Sequence, residues 1–129
     1  MLRKLLAVAV FGIMSLNAEN RIYELRTYVA PEGKLENLLA RFRDHTTKLF
    51  EKYGMQNIGY WVAADEPASK TTLIYVISHK NREAAKASWD AFRKDPVWMK
   101  AKAESEAQGA IVDKVTSVFM NPTDFSKLK

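Results

Sequence analysis

The chain contains no cysteine. That excludes a disulfide scaffold, a thiolate zinc site and a cysteine nucleophile. Glycine and proline are scarce, five and four in 129 residues, which excludes a low-complexity or collagen-like chain. The two histidines, His45 and His79, fall on different expected elements with no acidic partner at ligand spacing, so no metal site is expected. No Gly-rich phosphate loop, nucleophile elbow or HExxH motif occurs. Those chemistries therefore have no support, and no cofactor is expected. The longest apolar stretch, Leu5 to Leu16, is twelve residues, too short for the roughly 20 that cross a bilayer as a helix.

What is present is an ordinary globular balance, 47% hydrophobic and 27% charged, in a length that suits one domain. Twenty basic against fifteen acidic residues give a formal charge of +5, a balance that raises the question of nucleic acid. The positions answer it. Arg41, Arg43, Lys48, Lys80, Arg82, Lys100, Lys102, Lys127 and Lys129 are scattered, with acids interleaved throughout. A nucleic-acid footprint is a stripe on one face, and none is seen, so no nucleic-acid partner is expected.

The N-terminus reads as an address. Arg3 and Lys4 precede the uncharged stretch Leu5 to Leu16, and Ala18 offers a small residue at its end. This is the pattern of a secretory signal over residues 1–18, cleaved after Ala18, leaving no stable membrane anchor. The expected location is secreted or periplasmic. Removing 18 residues from 129 leaves 111, and losing Arg3 and Lys4 lowers the charge from +5 to +3.

Periodicity then orders the rest. Arg21 to Val29 alternates and is rich in Tyr, Ile, Val and Thr, so it reads as a strand. One of its faces carries Tyr23, Leu25, Thr27 and Val29; the other carries Ile22, Glu24, Arg26 and Tyr28. Pro31 suits the first turn of a helix. Leu35, Leu38, Leu39, Phe42, Thr46, Leu49, Phe50 and Tyr53 then recur at three and four, one apolar stripe over about five turns. Gly54 is placed to cap that helix. Met55 to Asp65 and Thr71 to His79 read as strands joined by Glu66 to Lys70. Asn81 caps a helix with a core face of Ala85, Ser88, Trp89 and Phe92, and Asp95-Pro96 starts a second one ending near Gly109. Ile111 to Met120 is a last strand, stopped by Asn121 to Asp124, and the tail to Lys129 is expected to be mobile.

The order is β-α-β-β-α-β, a ferredoxin-like α+β subunit. Helices cover one face of its sheet. The other face is bare and apolar, which makes a homodimer the expected solution. One domain over residues 19–126 is expected, with a tail at residues 127–129.

Several segments carry a resemblance. Tyr23-Glu24-Leu25-Arg26-Thr27-Tyr28 opens the domain and His45-Thr46 lies in the first helix. Gly54-Met55, Gly59-Tyr60-Trp61 and Thr72-Leu73-Ile74-Tyr75 follow, then Trp89-x-x-Phe92-x-x-Asp95-Pro96-x-Trp98. Phe119-Met120-x-Pro122-Thr123-Asp124-Phe125-Ser126 closes the set. In this order, over Arg21 to Ser126, they resemble the NIPSNAP family. The resemblance implies a subunit of a dimeric α+β barrel, with two sheets packed face to face and a pocket between sheet and helices. The wider superfamily includes cofactor-independent monooxygenases, haem-binding proteins and stress-response barrels. The trafficking role linked to animal members is not carried over, because the export signal departs from it.

Candidate site residues follow from the residue types. Glu24 and Arg26 share a strand face with Tyr28, so they either pair at an interface or line a pocket in which Glu24 acts as a base. His45 sits beside the apolar stripe, as a second candidate base, as the haem ligand that the resemblance to the wider superfamily allows, or as a core-edge histidine. His79 reads as a polar residue at a strand end. Tyr60, Trp61 and Tyr75, with Trp89 and Trp98, either wall a pocket for an aromatic ligand or serve core and dimer packing. The expected catalytic residues are thus His45 and Glu24, and the expected ligand-binding residues Arg26, Tyr28, Tyr60, Trp61 and Tyr75. The functional expectation is a homodimer that binds a small apolar or aromatic ligand. The alternatives are a cofactor-independent oxygenase or isomerase, and a protein-interaction module.

Overall fold

The computed structural model describes residues 20–129. The expected export signal, residues 1–18, lies outside the described residues. The strands are β1 (Ile22–Val29), β2 (Gln56–Val62), β3 (Thr72–His79) and β4 (Lys114–Met120). The helices are α1 (Leu35–Arg41), α2 (Thr47–Lys52), α3 (Arg82–Lys94) and α4 (Pro96–Ser105). The four strands form one antiparallel sheet in the order β2-β3-β1-β4. This is the ferredoxin-like arrangement that the alternating strands and intervening helical stripes imply.

The pleat decides what each strand presents. Along β1, Glu24, Arg26 and Tyr28 share one face, opposite Ile77, Tyr75 and Leu73 of β3. On the other side of β1 the same three residues stand opposite Phe119, Ser117 and Val115 of β4. This face is covered by the helices and carries the core. Leu38, Phe50, Met55, Tyr75, Ile77 and Ile111 are sealed from solvent there.

The first helical region departs from one uninterrupted helix. It begins at Leu35, not at Pro31. Pro31 instead accepts the Lys34 N–H at 3.0 Å in a turn through Gly33, whose φ of +80° is left-handed and cannot continue a right-handed helix. From Phe42 to Thr46 the helix widens into a π-type turn, with the Thr47 N–H donating to Phe42 O. The apolar stripe explains the widening. Leu38, Phe42, Thr46 and Phe50 step by four, and in a regular helix each step of four overshoots one turn by about 40°. A turn with more residues keeps all four facing the sheet. Thr46 Oγ1 donates to the Arg41 carbonyl at 3.3 Å within this turn.

The expected caps are present. Met55 N donates to Phe50 O at 2.9 Å and Gly54 N to Glu51 O at 3.1 Å, the paired bonds that close a helix through a left-handed glycine, with Gly54 at φ +83°. Asn81 Oδ1 accepts from Ala84 N, and Asp95 Oδ1 accepts from Val97 N and Trp98 N, with Pro96 in the first turn of α4. α4 ends at Ser105, four residues before Gly109. β4 starts at Lys114, later than Ile111, because Ile111 turns inward into the core instead of pairing.

The far face of the sheet is uncovered by helices. It carries the alternate residues of each strand, among them Trp61 and Val118, 54% and 55% exposed. The tail after Met120 does not hang free. A turn in which Ser126 N donates to Thr123 O brings it back, and Pro122, Thr123, Ser126 and Leu128 border a cleft of about 340 Å³ with Tyr23, Ile58, Trp61 and Val76. No helix among the described residues is long and apolar enough to cross a membrane.

Candidate functional site: a sheet–helix cleft above a buried Glu–Arg network

Glu24 is 1% exposed, yet both its oxygens are fully used. Oε1 accepts from His79 Nε2 at 2.8 Å and from Trp89 Nε1 at 2.9 Å. Oε2 accepts from Arg26 Nη1 at 2.8 Å and from Ser117 Oγ at 2.6 Å. A carboxylate can only accept, so His79 Nε2 is the donor of that bond. The Nδ1 of His79 is buried with no partner. These partners come from β3, α3, β1 and β4, so one carboxylate ties three strands to a helix.

Burial is the largest influence on this carboxyl and raises its pKa. The four donors, His79 first, together outweigh burial and bring it down from 4.5 to about 2. Arg26 is equally engaged. Its Nε donates to Tyr75 Oη at 2.9 Å and its Nη2 to Tyr28 Oη at 3.1 Å, while its guanidinium lies 4.3 Å from the Trp89 ring centre. Burial alone lowers the Arg26 pKa, but Tyr75, Tyr28 and Glu24 overcome it and hold the guanidinium well above its ordinary range. Burial pushes the Tyr75 and Tyr60 phenols up, so both stay protonated. Tyr60 stacks on Tyr75 at 5.0 Å and 20°.

Beside this network the sheet and helices part to form a cleft of about 170 Å³. Tyr28, Phe42, Phe50, Phe92 and Trp98 wall it with rings. Its charged residues are Arg41, Lys102 and Glu106. Among the described residues no group of three or more His, Cys, Asp or Glu side chains is arranged to hold a metal ion.

The family model for NIPSNAP matches residues 23–127, most of the chain. The chain belongs to the NIPSNAP family. Among solved structures, a NIPSNAP family protein from Agrobacterium tumefaciens superposes with a TM-score of 0.74 at 21% identity, covering 85% of this chain and 100% of that one. A second NIPSNAP family protein from the same organism gives 0.73 at 17% identity, covering 85% and 95%. The monooxygenase ActVA-Orf6 of Streptomyces coelicolor, solved in complex with nanaomycin D, gives 0.59 at 12% identity, covering 85% and 94%. At these identities the likeness is one of fold. No curated protein matches.

In this NIPSNAP chain the structure brings together five of the seven expected site residues. Glu24, Arg26, Tyr28 and Tyr75 are hydrogen-bonded to one another, and Tyr60 stacks on them. Trp61 is not with them. It follows Tyr60 on β2, so the pleat sends it to the uncovered face, where its ring lies over Gly59. His45 is also elsewhere, exposed on the outer side of the π-type turn and bordering a groove with Asp44, Ala101 and Glu104.

Two residues read differently in the sequence. His79 does end β3, but it is not a loop-end polar residue; it is 1% exposed and bonded to Glu24. Its parity with Tyr75 and Ile77 on β3 marked the helix-covered face. Arg41, one of the basic residues read as scattered, stands three residues after Leu38 and is buried with it. Helical spacing from the apolar stripe was the signal for it.

Proposed function

We propose that this NIPSNAP chain is an exported small-ligand-binding protein, whose site is the aromatic cleft between sheet and helices and whose uncovered sheet face pairs with a second copy. The observation that carries the reading is the cleft itself. It is walled by five aromatic rings yet borders Arg41, Lys102 and Glu106, and one of its rings, Tyr28, is held by a hydrogen bond from the buried Arg26. Apolar walls with a few fixed polar groups are the usual composition of a small-molecule site. Arg26 and Tyr75 both bond the Tyr28 hydroxyl, so that wall of the cleft is pre-organised. The pairing rests on exposed Trp61 and Val118 on a face no helix covers. Export rests on the pattern of residues 1–18 alone.

Native mass spectrometry of the protein purified from its own host tests these parts together. The expected spectrum is a dimer carrying a small adduct, each chain beginning at Glu19. A monomer overturns the pairing. A chain that begins at Met1 overturns export. Absence of any adduct, together with no saturable binding of small aromatics, overturns the ligand site.

A catalytic reading is favoured by one observation, the fold shared with the ActVA-Orf6 monooxygenase. Under it the chain is a cofactor-independent oxygenase or isomerase acting in the same cleft. Glu24 then serves as a positioning residue and not as the base, since four donors already occupy its lone pairs. His45, exposed outside the cleft, would have to act at its own groove. Incorporation of labelled dioxygen into a bound aromatic compound separates this reading from simple binding.

A further inference from the structure

Arg41 is 5% exposed and is the least satisfied cation of the interior. Its Nη1 reaches Ser105 Oγ at 3.2 Å and Glu106 Oε1 at 3.4 Å, the second contact at the limit of a hydrogen bond. Its Nε is buried with no partner. Arg26, by contrast, has all three nitrogens engaged. An orphaned donor on a buried guanidinium is costly; Nε itself is sealed, so an added acceptor would meet this cation through its Nη groups.

The surroundings say which acceptor. Arg41 borders two spaces. The outer groove, with Asp44 and Glu104 on its walls, has two carboxylates to one guanidinium and repels an anion. The inner cleft holds Arg41 and Lys102 against Glu106 alone, a net charge of +1. Glu106 is divided between them, Oε1 toward Arg41 and Oε2 on Lys102 Nζ at 3.0 Å. The Arg41 guanidinium lies 5.0 Å from the Trp98 ring centre, so the charge stands against the aromatic wall. The backbone is irregular at this point too. The Arg41 carbonyl is taken by Thr46 Oγ1 across the π-type turn, and such turns recur at functional sites.

We propose that the cleft takes a small aromatic monoanion, an aryl carboxylate of about one ring, whose acid is read by Arg41 and Lys102. The proposal rests on the ligand-binding reading above and names its ligand class. Charge sets the monoanion: one negative charge neutralises the +1 of the lining. Size sets the ring count: about 170 Å³ is below the roughly 300 Å³ of a drug-sized site and near the ~150 Å³ that holds benzene. A guanidinium beside aromatic rings matches a planar carboxylate on a planar body.

Calorimetric titration of the purified dimer or monomer with benzoate, and in parallel with benzamide, tests this. The two probes share shape and differ in charge. Benzoate is expected to bind about tenfold tighter, the worth of one charge-assisted hydrogen bond. Its binding should shift the Trp98 indole N–H resonance and weaken with salt. Glu106→Gln frees Arg41 and raises the lining to +2, so it should tighten benzoate several-fold and leave benzamide unchanged. Lys102→Met should weaken benzoate several-fold; Lys102 is exposed, so this variant folds. Arg41→Gln should abolish the preference, and the two surface-side variants keep the test valid if that chain fails to fold. Equal affinity for benzoate and benzamide overturns the anion site while the ligand cleft stands. Tightening of both probes by Glu106→Gln overturns it as well. Saturable binding of neither probe overturns both readings.

Discussion

Glu24 and His79 lie 55 residues apart in the chain and 2.8 Å apart in space, Oε1 to Nε2, both sealed from solvent. Their strands are neighbours, and Trp89 of α3 donates to the same oxygen. The contact therefore joins β1, β3 and a helix through one carboxylate. Ser117 of β4 and Arg26 complete its shell.

Removal of that charge should be felt by the whole domain. Glu24→Gln leaves the Arg26 guanidinium buried without its counter-ion. Losing one partner of a buried pair typically costs about 3–5 kcal/mol. Urea unfolding should show a loss of this size, and a loss under about 1 kcal/mol would contradict the role given to Glu24.

The same carboxylate sets an acid limit. Its pKa is depressed in the folded state, from 4.5 to about 2. Its stabilisation is thus fully present above pH 4.5 and is lost as pH falls toward 2. The integrated amount is about 3 kcal/mol. Thermal unfolding measured from pH 6 to pH 2 should steepen across that window in the parent chain. In Glu24→Gln the slope there should flatten.

The proposed pairing through the uncovered sheet face predicts that Trp61→Glu combined with Val118→Glu gives a monomer where the parent chain is a dimer. Both side chains are more than half exposed, so each substitution should change the monomer's stability by no more than about 0.5 kcal/mol. Sedimentation velocity reads the mass, and circular dichroism verifies the fold. Persistence of a dimer would move the interface elsewhere.

Gly54→Ala isolates a backbone effect. An added Cβ meets nothing within 4 Å, but φ is +83°. The cost should be the left-handed penalty alone, about 1–2 kcal/mol, visible as a lower midpoint in denaturant with an unchanged slope.

Much of the fold was legible because it is local. Alternation along Arg21–Val29 and the stripe through Leu38, Phe42 and Phe50 depend on residues a few positions apart. So do the Asn81 and Asp95 caps and the Gly54 terminus. The π-type turn was written in the stripe as well, in three successive steps of four, though only a regular helix was expected from it. Pairing of Glu24 with Arg26 was legible in the same way, since two positions on one strand share a face.

The candidate site was legible only where parity reached. Parity placed Glu24, Arg26 and Tyr28 together, and it also separated Trp61 from Tyr60, once the orientation of β2 was known. That orientation is a register fact, and a register is settled between strands. Whether Ser117, Trp89 and His79 would meet Glu24 depended on four elements packing at once, because hydrogen bonds at separations of 55 to 93 residues leave no local pattern. Arg41 illustrates the division best. Its own sequence neighbours put it on the buried side of a helix. Only the approach of α4 gave it Ser105 and Glu106, left its Nε without a partner, and made a charged residue part of an aromatic cleft. By itself the amino-acid sequence determined the elements, their faces and the family. Tertiary structure decided which charges are satisfied and which are left open, because satisfaction is a matter of distance between elements that the chain does not hold together.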